Sequence, residues 1–182
     1  MSQAHSTLRE SRCAIVQSLN ASSSRGILCY GSFRFPCALG RSGRRAVKRE
    51  GDGATPVGTW PIREIYYRAD RVLRPHSRLP TRVMRPDMAW CDVADDRNYN
   101  RRVTIPYRVV DERLWRDDNV YDLIAVLGYN DAPRVQGLGS AIFMHMAREG
   151  YTPTAGCVAL SLDHLYRLLT ATHTPTAVSI AA

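Results

Sequence analysis

Short apolar runs, separated by Gly, Pro and Asp, restrict the fold of this chain more than any other feature of its sequence. Runs of about four to eight residues with β-branched, aromatic or alternating side chains are typical of strands. The pattern predicts strands at residues 12–16, 27–30, 33–39, 60–67, 123–128 and 141–145. The last two are the most apolar, which is typical of buried central strands. The sequence therefore indicates a mainly β fold.

One segment after residue 160 predicts a helix. Leucines recur at helical spacing between residues 162 and 170, Ser161 is placed to cap the N-terminus, and Asp163 lies in the first turn. Pro175 prevents the helix from continuing. Residues 176–180 are predicted to return as a last strand at an edge of the sheet. Together these patterns predict a β-rich α+β fold with one or two short helices.

The length of the chain fits one domain. A chain of 182 residues buries about 70% of its unfolded surface, which is enough for a core without metal or disulfide bridges. Residues 69–106 contain four prolines and many Arg and Asp residues, and they are predicted to be a long loop or an excursion across the sheet edge. We expect residues 1–24 to be an N-terminal extension or first strand, and residues 25–182 to form a single domain.

The charge of the chain favours anionic partners. Lys and Arg number 25 against 17 Asp and Glu, which gives a net charge of +8. The arginines are spread from Arg9 to Arg167 without a recognisable nucleic-acid-binding motif, so nucleic acid is not the expected partner. No apolar run approaches the about 18 to 20 residues of a spanning helix, so no transmembrane segment is predicted. The N-terminus also lacks the apolar part of a secretory signal.

Five cysteines, an odd number, leave at least one thiol free. The sequence has no C-x-x-C pair and no histidine three to five residues from a cysteine, so a structural zinc site is not expected. The most informative cysteine is Cys157. A predicted strand ends in His145, a polar loop follows, and T-A-G-C then leads into another apolar run. An imidazole returned to this thiol would activate it, and Gly156 would let an acyl group approach backbone N–H donors.

Spacing alone does not separate this interpretation from a structural one. Cys157 lies beside Val158 and Leu160, and it fits a buried inert thiol, which is what most free cysteines are. His145 follows three apolar residues and equally fits a core histidine. From the pair by itself, the structural interpretation is favoured.

Two separated motifs add a resemblance to a known family. The segment T-A-G-C-V-A-L, after a strand ending in His145, resembles the active-site signature of YkuD-type L,D-transpeptidases. The segment K-R-E-G-D-G-A-T-P-V-G-T-W at residues 48–60 resembles the Gly/Thr-Pro-x-Gly segment of the same family. With W-C-D and R-N-Y-N within residues 90–100, the chain resembles a compact single-domain branch over most of residues 25–180. The resemblance implies a YkuD-like β-sandwich or barrel of mixed sheets, with a short helix after the catalytic cysteine.

The resemblance also implies roles for individual residues. Cys157 would be the nucleophile and His145 its general base. The backbone N–H of Gly156, with that of Cys157, would hold the oxyanion. Family members commonly orient the histidine through a main-chain carbonyl, and the sequence does not identify which carbonyl does so here.

Two positions depart from the family signature, which has a His before the Gly and an Arg or Asn two residues after the Cys. Ala155 and Ala159 occupy these positions. The missing Arg or Asn leaves the carboxylates of a stem peptide without their usual partner. We expect Arg148, in the same loop, to take that place, although a solvated loop charge fits it equally well. Thr154, which the signature retains, is also expected to bind substrate.

Other polar and aromatic residues carry weaker expectations. Tyr99 and Asn100 are predicted to line the groove for the donor peptide, while a turn followed by a solvated basic patch explains them equally well. Asp52 and Thr55 fit turn formers better than substrate ligands. Trp115 is expected to pack against the protein.

The resemblance implies an acyl transfer on peptidoglycan stem peptides without a metal or organic cofactor. The thiolate would attack the carbonyl of an L-to-D bond, expel the terminal D-amino acid, and pass the acyl group to a neighbouring stem amine or to water. Such enzymes resist penicillins, and carbapenems are expected to acylate the thiol. The sequence does not distinguish 3–3 from 1–3 cross-links.

Other functions remain open from the sequence. A cysteine amidase or peptidase acting on another substrate would use the same two residues. A wall-binding module without catalysis would keep the cleft and the basic surface. We expect a periplasmic location because the implied substrate lies outside the cytoplasmic membrane.

Overall fold

A computed structural model of the protein describes residues 13–107, 112–172 and 176–182. Within these ranges the chain forms fourteen strands and one α-helix. The strands are β1 (Cys13–Gln17), β2 (Arg25–Tyr30), β3 (Phe33–Ala38), β4 (Arg44–Arg45), β5 (Thr55–Pro56), β6 (Gly58–Tyr67), β7 (Thr81–Val83), β8 (Met88–Cys91), β9 (Arg101–Thr104), β10 (Glu112–Arg113), β11 (Leu123–Leu127), β12 (Phe143–Met146), β13 (Val158–Leu160) and β14 (Ala177–Ile180). The helix is α1 (Leu162–Ala171).

Nine of these strands make one main sheet, in the order β11-β12-β13-β3-β2-β1-β14-β6-β7. Because β6 also pairs with β11, the sheet closes on itself into a barrel-like sandwich. Most neighbours are antiparallel, but β12 with β13, β1 with β14, and β6 with β7 are parallel. The predicted mainly β sandwich or barrel, with a short helix after Cys157, is confirmed.

The main sheet has two apolar faces. Side chains from eight of its strands form the main core, into which α1 places Leu165, Leu168 and Leu169. Burial of a leucine side chain contributes about 1.5–3 kcal/mol, so these three fix the helix on the sheet. The opposite face carries a second apolar cluster that includes Phe143 and Cys157. The second cluster is the one that surrounds the candidate site.

A three-stranded sheet covers this second face. Strand β8 pairs in antiparallel fashion with both β9 and β10, and its Met88 and Trp90 pack into the cluster around Phe143. Of the two alternatives predicted for residues 69–106, the long loop is therefore wrong, whereas an excursion across the sheet edge fits the structure. They contain β8 and β9, and their β7 ends the main sheet. The reason is that all four residues of β8 are buried, whereas the charged residues flank the strand.

The prediction for residues 162–170 is accurate to one residue. The Ser161 hydroxyl caps α1 by accepting from the N–H of His164 at 3.3 Å. The last strand differs from the prediction, because β14 lies between β1 and β6 and not at an edge. Its buried Val178 and Ile180 belong to the main core, which explains the central position. Within the described residues, no helix has the length and apolarity that crossing a membrane requires.

Candidate active site

Cys157 lies directly before β13, beside the first residue of β12. Val158 pairs with Met144 in the parallel ladder, which places Cys157 next to Phe143. The thiol donates to the Ala141 carbonyl at 3.3 Å and accepts from the Phe143 N–H at 3.3 Å. Only 6% of the residue is exposed. The thiol is therefore held between two backbone groups of the segment that leads into β12.

The turn before the thiol is shaped by Thr154. Its hydroxyl donates to the Cys157 carbonyl at 2.7 Å and accepts from the Gly156 N–H at 3.1 Å. Gly156 has φ of +143°, and a Cβ at this position would lie 2.8 Å from the Ala54 carbonyl oxygen. Glycine is required here because the backbone of the turn touches the backbone of the first motif segment. The two motifs of the sequence meet at this contact.

The backbone donors around the thiol differ in availability. The Gly156 N–H is already bonded to Thr154, whereas the Cys157 N–H has no acceptor among the described residues. An oxyanion formed at the thiol would therefore find the Cys157 N–H ready to donate. The role predicted for Gly156 remains a prediction.

His145 lies on the same side of β12 as Phe143, two residues further along the strand, which is about 7 Å. Its Nδ1 lies 2.9 Å from the Met146 carbonyl oxygen. A carbonyl only accepts, so Nδ1 carries the proton and Nε2 is left as the acceptor. The main-chain carbonyl that the sequence did not identify is thus that of Met146. The ring also packs edge-to-face against Tyr121, with 5.4 Å between centroids.

Burial keeps both side chains neutral. It lowers the pKa of His145 to about 4 and raises the pKa of the Cys157 thiol to about 12, although the Phe143 N–H acts in the opposite direction on the thiol. Each side chain bonds to backbone, and no hydrogen bond joins the two to each other in the described structure. The pair therefore rests as thiol and imidazole. The imidazole thus keeps Nε2 unprotonated and able to accept a proton, which would have to leave the thiol as the sulfur attacks.

A cleft of about 180 Å³ opens onto Cys157. His145 does not line it, whereas Tyr121, which contacts the imidazole, does. The charged side chains in its wall have both signs. The cations are Arg41 and Lys48, and the anions are Glu50, Asp92 and Glu112.

Lys48 is a buried cation in this cleft, and the sequence analysis gave it no role. Its Nζ lies 2.7 Å from the Asp52 carboxylate, and the two side chains are 3% and 9% exposed. Burial alone would raise the pKa of Asp52, but Lys48 and the N–H groups of Arg49 and Ala54 lower it below its ordinary value. Asp52 is thus a turn former, as predicted, and also the partner of Lys48. The Lys-x-x-x-Asp spacing within the first motif is the signal that could have indicated the pair.

The chain matches the model of a known protein family. The family model of the YkuD L,D-transpeptidase catalytic domain matches residues 31–180, which include both motif segments, His145 and Cys157. The chain belongs to the YkuD family. This confirms the resemblance, and with it a relation to enzymes that act on peptidoglycan peptides. No curated protein matches the chain.

In this YkuD domain, Asn100 is buried and joins three segments. Its Oδ1 accepts from Trp90 Nε1 at 2.9 Å and from the Ala141 N–H at 3.2 Å, and its Nδ2 donates to the carbonyls of Tyr129 and Asn130. It therefore holds the residue whose carbonyl accepts from the Cys157 thiol. Asn100 does not line the cleft at the thiol, and its predicted role as a substrate ligand stays a prediction.

Tyr99 fixes the same part of the domain from the other side. Its hydroxyl donates to the Glu50 carboxylate and accepts from the Gly139 N–H at 2.9 Å. Glu50 also accepts from the Ser140 hydroxyl at 2.8 Å. Tyr99 is only 2% exposed, so substrate contact with it also stays a prediction.

Arg148 and Trp115 lie outside the cleft of the YkuD domain. Arg148 is exposed in the loop after β12 and pairs with Asp118 at 3.2 Å, which Arg116 also binds. Its predicted contact with substrate carboxylates remains a prediction. The Arg68 guanidinium lies 3.4 Å from the ring centroid of Trp115, which therefore packs against the protein.

Nowhere in the described part of the chain do three or more His, Cys, Asp or Glu side chains come together in a way that could hold a metal ion.

Proposed function

We propose that this protein is an L,D-transpeptidase in which Cys157 forms a thioester with a peptidoglycan stem peptide. The observation that carries the proposal is the environment of the thiol. In a YkuD domain, Cys157 opens onto a charged cleft, on the same sheet face as a histidine whose tautomer is set by a main-chain carbonyl.

The first step is acylation. The thiol leaves the Ala141 carbonyl, and its proton passes to Nε2 of His145 as the sulfur attacks the carbonyl carbon of the L-to-D bond. The imidazolium keeps its Nδ1–H on Met146, and the oxyanion accepts from the Cys157 N–H. The C–N bond then breaks. The terminal D-amino acid leaves as an amine with the proton from His145, and a thioester remains.

The second step releases the thiol. An amine of a neighbouring stem attacks the thioester and gives its proton to His145, and the cysteine sulfur leaves and is protonated again. The product is a cross-link between two stems. Water in place of the amine gives L,D-carboxypeptidase activity, and a free D-amino acid gives exchange. A carbapenem would acylate the same thiol.

The charges of the cleft support a zwitterionic substrate. Arg41 and Lys48 contribute positive charge to its wall, and Glu50, Asp92 and Glu112 contribute negative charge, although Lys48 is paired with Asp52 and Glu50 is bonded to Tyr99 and Ser140. Stem peptides carry both kinds of group. Arg148, Thr154, Tyr99 and Asn100 remain our predicted further contacts with the peptide.

The substrate also supports a location and an extent for the enzyme. We place it in the periplasm, where stem peptides are cross-linked. We assign catalysis to a single domain at residues 25–182, which includes the segment matched by the family model.

Mass spectrometry of the protein with disaccharide-peptide monomers tests the proposal. We expect wild type to produce dimers or exchanged terminal residues, and Cys157→Ala to produce none, because the thiol forms the intermediate. Cys29→Ala is the matched control, since Cys29 is a half-buried thiol on the far strand β2. Fragmentation of the dimers identifies the bond that joins the two stem peptides.

Three results would contradict the proposal. Products formed by Cys157→Ala would exclude the thioester. Monomers retained on a column of wild-type protein without turnover would indicate a wall-binding module. Cleavage at a bond other than L-to-D, with Cys157 still required, would indicate an amidase or peptidase.

A further inference from the structure

A second cavity, of about 290 Å³, lies beside the candidate active site and has no role in the mechanism above. Arg101, Arg102 and Arg134 line it, and Trp90 and Asn100 contribute to its wall. We call it the arginine cavity. Its positive charge is assembled from β9 and from the loop after β11.

In the part of the chain that the structure describes, the three arginines have no ion-pair partner. The acidic side chains at the cavity already have partners, since Asp131 pairs with Arg63 at 2.7 Å and Glu64 with Arg82 at 3.4 Å. Among the described residues, no acidic group lies within ion-pair distance of Arg101, Arg102 or Arg134. Burial and the nearby charge of Arg101 lower the pKa of Arg134. The guanidinium groups are thus held close to one another, and their positive charges favour binding of an anion between them.

The cavity lies on the same sheet face as Cys157. Val126 pairs with Phe143 on one side and with Glu64 on the other, so Phe143, Val126 and Glu64 form one row across three strands. Cys157 stands next to Phe143 and extends this row by one strand. Three strand spacings of about 4.8 Å place Glu64, at the cavity, about 14 Å from the thiol.

Trp90 lies between the arginine cavity and Phe143, whose N–H donates to the Cys157 thiol. Its ring meets Phe143 edge-to-face at 5.1 Å, and it also lines the arginine cavity. Its Nε1 donates to Asn100, which in turn accepts from the N–H of Ala141. Trp90 and Asn100 therefore connect the wall of the cavity with the backbone segment that holds the thiol.

We propose that the arginine cavity binds a carboxylate of the peptide substrate whose L-to-D carbonyl Cys157 attacks. The guanidinium group matches a carboxylate with two parallel hydrogen bonds, and several guanidiniums in a half-enclosed cavity make the match specific. The proposal rests on the proposed function, because that function supplies a peptide with free carboxylates.

Binding to protein without its nucleophile tests this assignment. Cys157→Ala protein is titrated with a synthetic stem tetrapeptide, and affinity is measured by calorimetry and by the intrinsic tryptophan fluorescence of the protein. The test variant adds Arg101→Gln and Arg102→Gln. Both side chains are exposed on β9, whose pairing uses backbone only, so folding is retained. The control adds Arg74→Gln and Arg78→Gln, which remove the same charge from an exposed segment outside both cavities.

We expect the test variant to weaken binding at least about tenfold, which is about 1.4 kcal/mol, and the control less than about twofold. Equal affinities in the two variants would overturn the assignment. So would inorganic phosphate that binds as tightly as the peptide and displaces it, because the cavity would then be a phosphate site.

A separate measurement distinguishes this failure from failure of the proposed function. Wild-type protein is incubated with the tetrapeptide, and its intact mass is recorded. Thioester formation together with equal affinities in both variants would refute only the cavity assignment. Binding that depends on Arg101 and Arg102 without any acylation would refute only the transpeptidase.

Discussion

Replacement of Gly156 by alanine tests how tightly the turn before Cys157 is held. The backbone there has φ of +143°, a conformation that is nearly confined to glycine and costs about 1–3 kcal/mol with a side chain. The new Cβ would also lie 2.8 Å from the Ala54 carbonyl oxygen, and relief of such overpacking costs about 1–3 kcal/mol. The sum is roughly 2–6 kcal/mol.

Two measurements follow from this sum. For a chain of this size 1 kcal/mol shifts Tm by about 2–4 °C, so we expect Gly156→Ala to lower Tm by roughly 5–20 °C. The turn must also move away from Ala54 and carry the thiol with it. A displacement of about 1 Å can reduce a rate about 10²-fold, so thioester formation, followed by intact mass, should fall by that order.

The control is Gly31→Ala. Gly31 also has a positive φ, +55°, but a Cβ there would have no neighbour within 4 Å, and the residue is far from the site. We expect a smaller loss of Tm and an unchanged acylation rate. If Gly156→Ala matched Gly31→Ala in both measurements, the contact with Ala54 would not position the nucleophile.

Two further predictions concern the charges of the site. Because His145 is buried and neutral with a pKa of about 4, the unfolded chain binds a proton that the folded chain does not as pH falls from about 6.5 to 4. His145 therefore contributes stability that is full above pH 6.5 and is lost below it, and urea unfolding from pH 7 to 5.5 should show wild type losing about 1 kcal/mol more than His145→Gln. An equal loss would mean a solvated imidazole. Lys48→Met leaves Asp52 buried without its cation and should lower the free energy of unfolding by about 3 kcal/mol. The double variant Lys48→Met with Asp52→Asn should recover most of that stability but still bind peptide weakly. If both variants bound peptide as tightly as wild type, Lys48 would not be part of the peptide-binding site.

The sequence predicted those elements whose signal lies within a short stretch of neighbouring residues. The leucines of α1 and the apolar run of β12 determine structure through spacing and burial, which neighbours in sequence encode. The predicted edge position of β14 was wrong, because the alternation of apolar and polar residues indicates which side chains are buried but not which strands are neighbours. Strand β8 was missed because it has only four apolar residues, and the sequence on both sides of it is rich in charged residues.

The candidate site divides in the same way. Cys157 and His145 were accessible to sequence because their chemistry is rare and their motif is compact. The Met146 carbonyl was not, because every residue carries a carbonyl and only the fold selects one. The arginine cavity was not accessible either, since the arginines that line it come from segments separated by more than thirty residues.

The bond from the Cys157 thiol to the Ala141 carbonyl has a consequence beyond the reaction itself. Oxidants and small electrophiles react with thiolates, and a thiol that donates to a carbonyl contributes almost none. Under the function that we propose, this bond would protect the nucleophile from oxidants until a substrate in the cleft displaces it. Resistance to damage and selectivity for substrate would then have the same structural origin.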